Sequence, residues 1–178
     1  MWVRTNGNSV IGTSRWIPCF LLFWLAVFIG FFLAEQARCG DLPCLDLRID
    51  GLERVNLLSG EEAIHAINKL HGMPIAMKRG FVAFYLADAG EKAVIWVSEA
   101  PSEELGEKQI QTMLSKMQGS SKSPFEKYRT VEAGNTKVIG FDGLGQVHYV
   151  FRIDTWVYWI SADGKRVDSL LHHIIKGC

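Results

Sequence analysis

The chain has 178 residues, 19 basic and 19 acidic, and 48% of it is hydrophobic. A balance this even argues against nucleic acid as a partner, which asks for a basic patch, and no block of like charge marks a disordered tail. The hydrophobic content is unevenly spread, and its densest stretch comes first.

Ile17 to Ala34 (IPCFLLFWLAVFIGFFLA) is an apolar run without a charge. Its length reaches the lower limit for spanning a hydrocarbon core of about 30 Å. Arg4 and Arg15 precede it and the first acid is Glu35. Positive charge stays on the cytoplasmic side, so the chain beyond Ala34 is expected outside the cytoplasm. Cleavage after Ala37 would put Glu35, and cleavage after Ala34 would put Phe32, where a small neutral residue is wanted. That favours a retained anchor over a cleaved signal peptide, with both readings open. Residues 1–40 are therefore read as a cytoplasmic n-region plus signal peptide or membrane anchor, and 41–178 as one exported domain. Beyond Ala34 there are 17 basic and 19 acidic residues, a near-neutral body.

Cys19 falls in the apolar run, while Cys39, Cys44 and Cys178 fall in a space expected to be oxidising. Cys39 with Cys44 is the simplest pairing. Cys178 with either of them would instead tie the two ends of the domain together, and an odd thiol could bond another molecule. C-x-x-C is absent, which points to structural rather than catalytic thiols.

In the exported part, Leu45, Leu47 and Ile49 alternate with Asp46, Arg48 and Asp50, the pattern of a half-buried strand. Ser59 stands three residues before Glu62, a capping-box spacing. The helix it opens carries Ala63, Ile64, Ile67 and Leu70 on one face and stops at Gly72. Gly80–Ala87 and Lys92–Glu99 flank a turn over residues 88–91, a hairpin apolar on both faces. Ser102 caps a second helix with Glu103 and Glu104 in its first turn, where the dipole favours acids. Its apolar face is Leu105, Ile110, Met113, Leu114 and Met117, and Gly119 ends it. Tyr128–Ala133, Thr136–Phe141, Gln146–Ile153 and Thr155–Ser161 then form a meander with short turns, hence antiparallel. The last of these strands, apolar on both sides, is expected to be central. A final helix runs from about Lys165 to Lys176. The expected fold is α+β, an antiparallel sheet covered by helices as an α/β/α sandwich.

The segments VSEAPSEELGEKQIQTMLSKM, YRTVEAGNTKVIGFDG, HYVFRI and TWVYWISADGKRVDSLLHHII, within residues 80–176, resemble the PsbP-like fold in element order and residue character. The resemblance implies a non-enzymatic binding or assembly role for an exported protein. Leu42 to Met77 departs from that pattern.

Chemical signatures are sparse. His172 and His173 are neighbours on a helix and diverge by about 100°; His65 and His71 are poorly spaced for one face. No metal site and no cofactor are therefore expected. Gly140, Gly143 and Gly145 join two strands rather than a strand and a helix, which makes a hairpin turn of what could pass for a phosphate loop. No G-x-S-x-G, P-loop or H-E-x-x-H occurs. The residues singled out for a ligand or partner are Trp156, Tyr158, Trp159 and His148, with core packing as the competing role of the aromatic strand. A pocket, where present, is expected between a sheet face and a helix. The sequence thus reads as an envelope-associated, non-enzymatic domain that binds a protein partner. A small-ligand or metal-binding protein with a cleft over the aromatic strand is the alternative, and a hydrolase using Asp142 and His148 a more remote one.

Overall fold

The computed structural model describes residues 43–177. The apolar run Ile17–Ala34, with the choice between signal and anchor, lies outside the described residues, as do Cys39 and Cys178. Among the described residues no helix is long and apolar enough to cross a membrane.

The elements follow in the order β1 (Arg48–Ile49), β2 (Leu52–Ser59), α1 (Gly60–His71), β3 (Arg79–Ala87), β4 (Lys92–Glu99), α2 (Glu103–Gly119), β5 (Phe125–Ala133), β6 (Thr136–Gly143), β7 (Gln146–Ile153), β8 (Trp156–Ala162) and α3 (Gly164–Gly177). The strands form one sheet in the order β1-β2-β3-β4-β8-β7-β6-β5, antiparallel throughout. Two meanders meet where β4 pairs with β8, setting Ile95 against Ile160 and Trp96 against Trp159. The aromatic strand is central, as its two-sided apolar sequence requires.

Strand alternation sends the core to both faces. On one, Val167, Leu170, Leu171 and Ile174 of α3 pack with Tyr85, Ile95, Tyr158 and Ile160. On the other, Ala63 and Ile67 of α1 pack on Val82. There too Ile110, Met113 and Leu114 of α2 pack on Phe141, Val150, Val157 and Trp159. An antiparallel sheet with helices on both faces is what the composition of its strands predicts.

Three local expectations need correction. The strand expected over Leu45–Ile49 is only two residues long, because Asp50 (φ 48°) and Gly51 (φ 78°) turn the chain straight into β2. β2 itself is an eighth strand whose alternation is broken by an irregularity between Arg54 and Asn56, which leaves Val55 exposed. Ser59 occupies the N-cap of α1 in an extended conformation, but its side chain makes no capping bond. Ser102, by contrast, accepts from the Leu105 N–H at 3.2 Å.

Cys44 is disulfide-bonded. Its Sγ lies 3.8 Å from where a Cβ on Gly177 would stand, at the end of α3.

Candidate functional site

The four candidates, Trp156, Tyr158 and Trp159 on β8 and His148 on β7, divide between the two faces. Trp156 and Tyr158 look toward α3; Tyr158 is buried there, its ring stacked on Phe151 at 5.0 Å. Burial pushes its hydroxyl well above the ordinary tyrosine range. Trp156 packs at 6.2 Å on Phe81 and lies under the Arg79 guanidinium at 5.0 Å. Trp159 and His148 look toward α2.

His148 is buried, and both of its ring nitrogens are engaged. Nδ1 lies 3.1 Å from the indole Nε1 of Trp159, and Nε2 lies 2.9 Å from the carbonyl oxygen of Gly143. An indole nitrogen only donates, so Nδ1 accepts and the proton sits on Nε2, donated to Gly143. Burial pushes the imidazole below its ordinary pKa, against the opposing pull of Gly143 and Asp142. Its ring stacks on Phe141 at 5.2 Å. Asp142 binds Arg129 at 2.9 Å and Lys127 at 3.4 Å, and the Arg129 hydrogen bond holds its carboxyl low. His148 and Asp142 thus make separate contacts and form no hydrogen-bonded pair for proton transfer. The remaining imidazoles are scattered: His173 pairs with Asp46 at 2.9 Å, and His172 meets the Asp168 carbonyl at 2.7 Å. Among the described residues no three His, Cys, Asp or Glu side chains gather as metal ligands.

A mostly apolar concave feature on this face lies between the end of α1, the loop that follows it, and α2. Its far wall begins with Gly72, whose left-handed backbone (φ 66°) ends α1 with a hydrogen bond to Lys69 O at 3.2 Å, while Met73 N–H reaches Asn68 O at 3.2 Å. The Asn68 side chain then accepts from Ile75 N–H at 3.0 Å, and Gln109 of α2 donates to the Ala76 carbonyl at 2.6 Å. The loop is therefore held at one side by α1 and at the other by α2.

Between these walls lie two cavities. The first, 210 Å³, runs along Met73, Pro74, Ile75 and the Leu105–Gln109–Met113 row of α2. The second, 290 Å³, runs over Leu70, Met117, Phe125 and Trp159. They share His71, Met113 and Lys116. Beneath them a void of 20 Å³ reaches Trp96 and Trp159, whose rings are 6.0 Å apart. Lys108 lines the first cavity and Lys122 the second; neither is lined by an acid. Burial, and then Lys116, push His71 below the ordinary imidazole range, so it faces the groove uncharged near neutrality.

Of the sequence candidates, Trp159 is in this groove, while His148 braces it from behind through the indole N–H. Leu70, His71, Met73 and Lys116 were missed. Their signal in the sequence is faint: a methionine and a proline just after a helix-ending glycine, opposite a lysine row on the next helix.

No family model matches the chain, and no curated protein matches it. Among solved structures it is similar to the crystal structure of a GTP binding regulator from Thermotoga maritima, with a TM-score of 0.47 and 12% identity over 71% of this chain and 78% of that one. A likeness this slight carries no argument about function.

Proposed function

We propose that this is an exported, non-enzymatic binding domain whose groove between α1 and α2 takes a small apolar ligand. The observation that carries the reading is the junction of the 210 and 290 Å³ cavities on an apolar floor that includes Trp159. Such a concave, mostly apolar site between a helix and a sheet face is the usual form of a small-molecule pocket. Export rests on Ile17–Ala34 and the preceding cations, and the PsbP-like resemblance supports a role in binding rather than chemistry.

Docking of an envelope protein partner is a second reading, favoured by Met73 and Leu105, which stand 43% and 38% exposed at the mouth of the groove. Native mass spectrometry of the full chain released from its own membrane separates the two. A small molecule bound one to one, and lost when Met113→Trp fills the groove, is the expected result. A stoichiometric protein in its place would overturn the ligand reading in favour of the partner, and a chain that carries neither would overturn both.

A further inference from the structure

The charges around the groove say what kind of apolar ligand suits it. Along α2, Lys108, Thr112 and Lys116 recur at intervals of four and so form one row on the helix surface, beside the row of Leu105, Gln109 and Met113. One row supplies cations to the rim and the other supplies apolar floor. Lys116 sits where the two cavities join. Its ammonium donates to the Met73 thioether sulfur at 2.8 Å, and no carboxylate pairs with it among the described residues. A thioether is a weak acceptor for a full positive charge. Lys116 is therefore a cation held in place over an apolar groove, with a partner that an anion would readily displace.

We infer that the ligand is a single-chain aliphatic carboxylate whose head group is bound by Lys116 and whose chain lies along the groove. The inference rests on the small-ligand reading above and adds the ligand's chemical class. A carboxylate exchanges the sulfur contact for a charge-assisted hydrogen bond, and the absence of acids from both linings leaves that charge unopposed. The chain fits the rest of the lining. Met73, Met113 and Met117 are unbranched and polarizable, and adapt to a flexible aliphatic partner. The joined cavities, 210 and 290 Å³, suit one aliphatic chain rather than the two of a phospholipid. The source is accordingly a free monomeric carboxylate taken from solution, not a phospholipid drawn from a bilayer. His71, kept neutral by its burial and by Lys116 itself, adds no second charge.

The test uses the full chain in native membrane vesicles and a dodecanoate carrying a diazirine at its far end. After irradiation the labelled peptides are mapped. Label is expected in residues 70–75 and 105–117, competed by unlabelled dodecanoate and about tenfold less well by dodecanol or dodecylamine. Lys116→Gln should lower labelling about tenfold and Lys116→Arg should retain it, while Lys165→Gln, on the helix of the opposite sheet face, should change nothing. Groove labelling competed equally by dodecanol and unchanged in Lys116→Gln would overturn the carboxylate assignment and leave the apolar-ligand reading standing. Label absent from the groove of the unaltered chain would overturn both. Lys116 is exposed, so the substitution leaves the core intact, and the arginine variant reports directly on whether charge is what matters.

Discussion

Trp159 donates an indole N–H hydrogen bond to Nδ1 of His148 across 3.1 Å, and the bond requires the imidazole to be neutral. Protonation would put a second donor where the indole N–H already points. The folded imidazole is held below its ordinary value, first by burial. Between the folded pKa and the ordinary value of about 6.5, the unfolded chain binds a proton that the folded chain refuses. Stability therefore falls as pH drops through about 6.5, and is unaffected by this group at higher pH. His71 is shifted the same way and adds to the loss. Asp142, whose charged form is favoured by Arg129, likewise costs stability on acidification, but only near and below about pH 4.

Thermal melts of the domain between pH 8 and pH 5 should be flat at the alkaline end and decline below about 6.5. His148→Gln should flatten part of that decline, leaving the part due to His71. His148→Ala should cost about 2–4 kcal/mol at neutral pH, because it opens a cavity among Phe125, Phe141 and Trp159 and leaves the indole N–H without an acceptor. A pH profile identical in His148→Gln and the unaltered chain would remove His148 from the account.

Gln109 and Asn68 hold the loop that walls the groove, through Ala76 and Ile75. Both contacts are near the surface, so Gln109→Ala and Asn68→Ala should cost only about 0.5–1.5 kcal/mol each in stability. Their larger effect should be local. Hydrogen exchange at residues 73–78 should rise by at least about tenfold while the amides of β4 and β8 keep their protection. Equal loosening of the loop and of the central strands would show that the loop is not held separately by these side chains.

The layered fold was legible because its signals are local and repeated. GFVAFYLA and TWVYWIS are apolar on both faces, and such strands need cover on two sides; the three amphipathic helices supply it. β2 was illegible because the bulge at Val55 breaks the alternation on which strand reading depends. The groove was only partly legible for a different reason. Its floor comes from β8, one wall from residues 70–76 and the other from α2, and nothing in sequence spacing brings Met73 to Lys116. His148 read as a candidate ligand because an imidazole in a strand looks available; only the fold places an indole donor on one nitrogen and a carbonyl on the other.

Arg166 joins three segments that are far apart in sequence. It donates to the Asp50 carbonyl at 2.9 Å, pairs with the Asp50 carboxylate at 3.5 Å, and reaches Glu91 in the β3–β4 turn at 3.3 Å. Glu91 Oε2 is buried without a hydrogen-bond partner, so the guanidinium is the main compensation for that carboxylate. Arg166→Ala should destabilise the domain by about 1–3 kcal/mol, since it removes a charged partner from a half-buried acid. Arg166→Lys should recover only part of this, because one ammonium cannot serve Asp50 and Glu91 with the geometry of a planar fork. A paired Glu91→Gln substitution should blunt the effect of Arg166→Ala in a double-mutant cycle of chemical denaturation; strict additivity would show that the two side chains do not interact.

Cys44 offers a test of both architecture and compartment. It is disulfide-bonded, and its sulfur lies beside Gly177, the neighbour of the terminal Cys178. The bridge expected from that placement is Cys44–Cys178, which ties the segment before β1 to the end of α3, in parallel with the His173–Asp46 pair at 2.9 Å. A bridge across nearly the whole domain closes a long loop and restricts the unfolded chain, a contribution of about 4–5 kcal/mol on the chain-entropy account. Peptide mapping without reduction, on protein taken from its native membrane, should find Cys44 joined to Cys178. Cys178→Ser should then lower the melting temperature to that of the reduced protein and make it insensitive to further reductant. A Cys39–Cys44 peptide would instead show that the bridge closes only a local loop, in which case Cys178→Ser should leave the melting temperature unchanged. Free thiols at Cys39, Cys44 and Cys178 in freshly isolated protein would count against the oxidising compartment that the apolar run predicts.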